Sequence, residues 1–196
     1  MSKRLITLYT DYKSPYAYLA KDPAYELEDD FDVLVDWRHF TLDIPSFLGA
    51  VETRTAQEWR KVRYTYMDMR RWANKRGLTV KGPRKVYDSS PAGIGMLFAQ
   101  RHGAFRPYND RIFERFWTHQ LEVDDISAIK GVLAEVGVEI AGFDDFLAGE
   151  GRQAHDEMCR EAEAKGVFGV PTFILDDELF WGYDRMELLR ERLRGE

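Results

Sequence analysis

The order of β-rich and helical segments is what most constrains the fold of this chain. Residues 5–9 and 31–40 are β-rich, and Ser14-Pro15 between them has the form of an N-cap followed by proline at the first helical position. Such a β-α-β unit implies a parallel strand pair with a right-handed crossover. A second β-rich segment, residues 172–181, lies near the other end of the chain. We therefore predict an α/β fold with one sheet and a large all-helical insertion, residues 44–165.

Helical periodicity runs through the insertion, and its amphipathic helices should pack against the sheet. We expect Asp124 to be the N-cap of one of these helices. The predicted helices span residues 56–76, 91–102, 107–120, 125–136, 143–149 and 151–165. A hairpin of strands 172–175 and 179–181 and a last helix over 184–193 then complete the fold. With no internal repeat and no linker, residues 1–196 form a single predicted domain.

Composition excludes several classes of protein. The 196 residues are 44% hydrophobic, which suffices for a core, and the net charge of −6 argues against a nucleic-acid binder. No apolar run approaches the ~18 residues of a membrane helix, and the N-terminus does not resemble a signal peptide. Cys159 is the single cysteine, so an internal disulfide is excluded, and the four histidines lack the spacing of metal ligands. We expect a cytoplasmic protein without a metal.

Two short motifs are candidates for a binding site. Pro171 opens the apolar run at 172–175, where it cannot donate a ladder hydrogen bond, so we expect the backbone of Val170 to stay unpaired and free to hold an extended peptide. The alternative is an ordinary strand start. Ser14 is either a simple helix cap or the point where its hydroxyl and the first N–H groups of the helix face an anion such as a thiolate.

Several segments in order resemble a known family. Residues 11–20 are similar to the D-x-x-S-P-Y-x-Y-L-A opening of the 2-hydroxychromene-2-carboxylate isomerases, which the kappa-class glutathione transferases share. Residues 36–40, 61–73, 166–173 and 180–185 resemble later motifs of that family. The resemblance implies a DsbA-like thioredoxin fold with a helical insertion and, by analogy, a homodimer. It also implies glutathione as cofactor.

The resemblance assigns roles to individual residues. It implies a cis peptide bond at Pro171, which we count among the expected cofactor-binding residues. Ser14 would contact the glutathione sulfur, and Val170 would pair its backbone with the cysteinyl unit. Tyr183 and Asp184 would hold the γ-glutamyl end, where a carboxylate can pair with the ammonium group, although Asp184 could instead cap the last helix. The remaining expected cofactor-binding residue, near the glycyl carboxylate, is Lys61, for which a solvated helix face is the alternative.

The implied activity is a glutathione-dependent isomerisation of a small aromatic pyruvate or chromene carboxylate by reversible thiolate addition. One alternative is a kappa-like glutathione transferase, and another is a non-enzymatic peptide-binding module. A DsbA-like oxidoreductase would need cysteines where this chain has Ser14 and Ala17. The chain also departs from the family pattern at Asp88, which puts a carboxylate where an asparagine is expected.

Overall fold

The two β-rich ends of the chain meet in one sheet. A computed structural model of the protein describes residues 3–195. The strands are β1 (Arg4–Thr10), β2 (Val33–His39), β3 (Thr172–Leu175) and β4 (Glu178–Trp181). Their order in space is β2-β1-β3-β4, with β1 parallel to β2 and β3 antiparallel to both of its neighbours. The pairing of β1 with β3 brings residues that are far apart in sequence to the same end of the sheet, where β1 ends and β3 begins.

The helices confirm the predicted α/β fold with an all-helical insertion. Helix α1 (Pro15–Asp30) joins β1 to β2, and α9 (Met186–Arg194) follows β4. The insertion contains α2 (Ile44–Leu48), α3 (Ala56–Lys75), α4 (Ser90–Arg101), α5 (Phe105–Trp117), α6 (Ile126–Glu135), α7 (Phe143–Ala148) and α8 (Glu150–Ala164). Within residues 3–195, none of the helices combines the length and the apolar character that a membrane crossing requires.

The central strands β1 and β3 are largely buried on both faces because helices pack against each side of the sheet. Ile6 and Leu8 of β1 pack with α1 and α9, in a core that also contains Trp37 of β2. The alternate side chains Tyr9 and Ile174 face the opposite way and join the core of the insertion. This alternation follows from the period of two in a strand. The insertion therefore rests on the sheet, with α4 and α8 against β2.

Two local predictions were wrong, and one short helix was not predicted. The N-cap of α6 is Asp125, whose side chain accepts hydrogen bonds from two backbone N–H groups, because the helix begins at Ile126 and Asp124 lies one residue too early. Asp124 is paired with Lys85 at 3.0 Å. The last helix begins at Met186, since a 3₁₀ turn over Tyr183–Arg185 precedes it. Helix α2 was not predicted, as its five residues are too few to show a period.

Candidate functional site

Ser14 connects the first turn of α1 to the turn before β3. It is the N-cap of α1, and its Oγ accepts a hydrogen bond from the Ala17 N–H at 3.2 Å. The same hydroxyl donates to the carbonyl oxygen of Val170, also at 3.2 Å. The Ser14 side chain is buried. The positive end of the helix dipole therefore lies beside a hydroxyl donor, an arrangement that favours a bound anion.

The turn before β3 is held by several hydrogen bonds. The Val170–Pro171 peptide bond is cis, and pairing of β3 with β1 begins only at Thr172. Thr172 Oγ1 donates to the Gly169 carbonyl at 2.7 Å. The prediction that the Val170 backbone is unpaired was wrong for its carbonyl, because the Ser14 hydroxyl needs an acceptor and finds one there. The Val170 N–H lies before Thr172, the first residue of β3 that pairs with β1, so it takes no part in that ladder.

Three adjoining cavities, together called the groove, lie between α3 and the end of the sheet where β1 ends and β3 begins. The polar cleft, about 460 Å³, is lined by Tyr16, Tyr64, Asp68, Trp72, Val170, Trp181, Gly182, Tyr183, Asp184 and Arg185. The central cavity, about 220 Å³, is lined by Lys13, Ser14, Pro15, Tyr16, Leu42, Ile44, Leu48, Val62, Thr65, Tyr66, Gly169, Val170 and Trp181. The outer cavity, about 380 Å³, is lined by Lys13, Ile44, Leu48, Val51, Arg54, Trp59, Val62, Tyr66, Pro83, Arg84, Lys85, Val86 and Tyr87. Neighbouring cavities share lining residues, so the three lie side by side.

Four of the predicted site residues lie together in this groove. Tyr183 and Asp184 line the polar cleft, Ser14 lines the central cavity, and Val170 lines both. The Asp184 carboxylate is exposed and forms an ion pair with Arg185 at 2.8 Å. It does not cap α9, because the 3₁₀ turn separates it from the helix. The carboxylate is therefore accessible to a ligand in the cleft.

Lys61 lies apart from the other predicted residues. It is exposed on α3, one turn before Tyr64, and is absent from the linings of the three cavities in the described chain. Pro171 is buried behind Val170 and fixes the turn without lining the groove. The structure therefore does not bring Lys61 into the groove with the other predicted residues.

Sequence reasoning gave no role to a tyrosine–carboxylate pair in the polar cleft. The Tyr16 hydroxyl donates to Asp68 at 2.9 Å, which ties α1 to α3. Burial, with a further contribution from Asp68, raises the pKa of Tyr16, so the phenol stays protonated. Trp72 packs edge-on against Tyr183 and so links α3 to the 3₁₀ turn. Both Tyr16 and Asp68 lie in segments that carry the family resemblance, which was the available signal.

A buried carboxylate with two basic neighbours, Lys13 and His39, belongs to Asp11, whose backbone carbonyl accepts a hydrogen bond from the Ser14 N–H. The Asp11 carboxylate accepts hydrogen bonds from the backbone N–H groups of Lys13 at 3.1 Å and Leu42 at 2.8 Å. Lys13 Nζ lies 3.4 Å from Asp11 and His39 Nε2 lies 3.6 Å from it. Burial would raise the pKa of Asp11, but Lys13 and His39 outweigh it and lower the pKa well below its usual value. Asp11 is therefore ionised in the folded protein.

Asp88 and Cys159 have local structural contacts. Asp88 accepts hydrogen bonds from the Ser90 N–H and hydroxyl, both at 2.9 Å, at the start of α4. Burial raises its pKa, but these bonds more than compensate and the pKa is lowered. Cys159 on α8 is a free thiol 3.8 Å from His155 Nε2, and burial raises its pKa. Across residues 3–195, no group of three or more His, Cys, Asp or Glu side chains is arranged to hold a metal ion.

A comparison of the sequence with protein-family models identifies a family whose fold agrees with the one described above. The DSBA-like thioredoxin domain matches residues 5–194, almost the whole chain. The chain belongs to this family. The predicted thioredoxin-like fold with a DsbA-like helical insertion is thereby confirmed.

Two relatives of known name are similar to this chain over almost its whole length. This DSBA-like domain is 26% identical over 192 residues to a 2-hydroxychromene-2-carboxylate isomerase of Pseudomonas putida, covering 96% of this chain and 94% of that protein. A protein of the same name from Sphingobium xenophagum is 25% identical over 194 residues, covering 97% and 98%. The chain is thus similar along its whole length to enzymes named as isomerases.

Solved structures give the same picture. A 2-hydroxychromene-2-carboxylate isomerase structure superposes with a TM-score of 0.81 at 26% identity, covering 97% of this chain and 95% of that one. A probable DsbA oxidoreductase from Streptomyces coelicolor superposes with a TM-score of 0.77 at 18% identity, covering 98% and 91%. The second likeness bears on the fold alone.

Proposed function

We propose that this protein is a glutathione-dependent isomerase of the 2-hydroxychromene-2-carboxylate isomerase type. The observation that carries the proposal is the contact between the Ser14 hydroxyl, at the N-terminus of α1, and the Val170 carbonyl at the edge of the polar cleft. It joins a thiolate-stabilising position to a backbone segment suited to an extended peptide. The names of the similar proteins support the same activity.

The residues of the groove fit glutathione. Val170 offers a backbone N–H ahead of the paired strand, and Asp184 offers an accessible carboxylate for the γ-glutamyl ammonium. Tyr183 lines the cleft beside it. Lys61, on the same helix as Tyr64, would approach the glycyl carboxylate from the rim. When bound, glutathione supplies a thiolate that adds reversibly to a conjugated double bond, so that the bond can rotate.

The chain itself contributes anion stabilisation and orientation. The hydroxyl of Ser14, which here donates to the Val170 carbonyl, would donate to the sulfur anion of the bound cofactor, and the N-terminus of α1 would favour that anion further. Leu42, Ile44 and Val62 give the central cavity an apolar lining. An aromatic substrate held there would be oriented towards the sulfur and shielded from water.

Two measurements on the purified protein test this function. Calorimetric titration with reduced glutathione should show binding at a single site. An absorbance assay with 2-hydroxychromene-2-carboxylate should show its conversion to the open-chain aromatic pyruvate only when glutathione is added. The amount of free glutathione should be unchanged after many turnovers.

The outcomes separate the alternatives. Consumption of glutathione in proportion to product would contradict an isomerase and favour a kappa-like transferase. Absence of glutathione binding would contradict both enzymes and favour a peptide-binding module that uses the Val170 backbone.

A further inference from the structure

The Lys13 side chain borders two neighbouring cavities. Its side chain lines both the central and the outer cavity, yet only 6% of it is exposed to solvent. The shared walls around it are mostly apolar and include Ile44, Leu48 and Val62. A cation in such surroundings gains little from water and interacts strongly with any anion that enters.

The contacts of Lys13 leave part of its hydrogen-bonding capacity unused. Among residues 3–195, Asp11 is its single ion-pair partner, and an ammonium group has three donors. Asp11 also accepts the backbone N–H groups of Lys13 and Leu42. The carboxylate therefore anchors Nζ without occupying all of its donors, and the free donors belong to a side chain that borders the cavities.

An anion bound to Lys13 would lie close to Ser14, the next residue in the chain. Lys13 immediately precedes Ser14, and both residues line the central cavity. A molecule that binds Nζ through an acidic group would hold its conjugated portion within the cavity that contains the Ser14 hydroxyl. The aromatic side chains Trp59, Tyr66 and Tyr87 of the outer cavity offer flat apolar surfaces for the rest of that molecule.

We propose that Lys13 is a specificity-determining residue that binds the carboxylate of an aromatic, conjugated substrate, with Asp11 holding its ammonium group in place. The proposal rests on the proposed function, because it assigns the substrate side of the same groove. It predicts a preference for free acids over their neutral esters, since only the acid forms a charge-assisted hydrogen bond with Nζ.

Binding of trans-cinnamate and of methyl cinnamate, measured by calorimetry without glutathione, tests the assignment separately from catalysis. The wild-type protein should bind the acid about 10-fold more tightly than the ester. Lys13→Met should abolish this preference and leave the affinity for the ester unchanged. Because Lys13→Met leaves the buried Asp11 carboxylate without its ammonium, the double variant Asp11→Asn with Lys13→Met provides a charge-neutral version. Lys165→Met, at an exposed position after α8, is the control for loss of one positive charge.

The results distinguish the two proposals. Loss of acid preference in both Lys13 variants, with the preference kept in Lys165→Met, supports the role of Lys13 even where the protein fails to isomerise its substrate. Equal preference in the wild type and the double variant, or no measurable binding of cinnamate to the wild type, overturns it. Neither result depends on whether glutathione binds.

Discussion

Ser14 has two functions, whose effects can be separated by comparison with a helix cap elsewhere in the protein. As the N-cap of α1 it satisfies the Ala17 N–H, and as a donor it reaches the Val170 carbonyl. Loss of a cap costs about 1 kcal/mol of stability wherever it occurs in a protein. Loss of a donor to an anion at the reaction centre costs activity as well. The two effects therefore differ between Ser14 and a cap that lies away from the groove.

Ser14→Ala is expected to lower kcat/KM for the isomerisation at least 10-fold and to lower the free energy of unfolding by about 1 kcal/mol. Asp125→Ala, which removes the cap of α6, should give a similar loss of stability with no loss of activity. Urea denaturation and steady-state kinetics measure the two quantities. Undiminished activity of Ser14→Ala would exclude a role for the hydroxyl in stabilising the thiolate.

Asp184 allows a test of cofactor binding that leaves the fold intact. Its carboxylate is exposed, and an exposed ion pair such as that with Arg185 contributes little to stability. Asp184→Asn should therefore leave the urea midpoint nearly unchanged while weakening glutathione binding about 10-fold, since an ammonium partner is lost. Asp177→Asn, in the turn between β3 and β4, is the matched exposed control. Equal affinity in all three proteins would rule out Asp184 as a ligand.

For individual residues, the family motifs identified the site better than the chemistry of single side chains did. Ser14, Val170 and Asp184 were found because each lies in a recognisable segment that the fold brings to one groove. Lys13 was missed because a lysine in a sequence gives no sign of burial. It becomes informative only when Asp11, two residues earlier, is seen to turn inward beside it.

Helix α4 approaches β2 closely because position 93, which faces His39 at the end of β2, is a glycine without a side chain. A Cβ on Gly93 would overlap the imidazole ring of His39, with the ring Cε1 at 2.8 Å. That ring is fully buried at the end of β2, next to Asp11 and His155. A side chain at position 93 would have to push the ring, and with it the polar cluster, towards the sheet.

Gly93→Ala should consequently lower the free energy of unfolding by about 1–3 kcal/mol, as overpacking does in other cores. Alanine at an unhindered helix position has the opposite effect, and Gly131→Ala in α6, where a Cβ meets nothing within 4 Å, should raise stability by up to about 1 kcal/mol. Urea denaturation of both variants measures these changes in the free energy of unfolding. Stabilisation by Gly93→Ala would show that α4 can move away from β2.

Long amphipathic helices such as α3 were predicted from sequence because their apolar period repeats over several turns. Their ends were less predictable. Asp124 and Asp125 are both acceptable N-caps in sequence, and in the folded protein Asp125 caps α6 while Asp124 pairs with Lys85. That contact depends on the packed structure and so lies beyond local sequence.

Over the whole molecule, a buried polar cluster connects the sheet to the insertion. His39 at the end of β2 lies with its Nδ1 3.2 Å from Nε2 of His155 on α8. Thr41 Oγ1 is 3.0 Å from the same His155 atom, and Asp156 lies 3.3 Å from the other ring nitrogen. Because the cluster bridges the two parts of the fold, its protonation should affect the stability of the entire protein.

Burial, followed by the nearby His39, lowers the pKa of His155 to about 4 from its ordinary 6.5. Arg152 acts in the same direction, and Asp156 opposes it. The unfolded chain therefore takes up a proton as the pH falls through 6.5, whereas the folded protein resists until the pH nears 4. Stability due to this group is complete above pH 6.5 and is lost as the pH falls towards 4, by about 1.4 kcal/mol for each pH unit.

Urea unfolding between pH 7.5 and 4.5 should thus show a decrease in stability that is about 2.5 kcal/mol smaller in His155→Gln than in the wild type. His102→Gln, at an exposed position after α4, should keep the wild-type slope. The His155→Gln variant also loses the packing of the imidazole ring, so it should be less stable at pH 7.5, and the comparison depends on the slope alone. Parallel curves for the wild type and His155→Gln would mean that His155 is protonated as readily in the folded protein as in the unfolded chain, which its burial against His39 opposes.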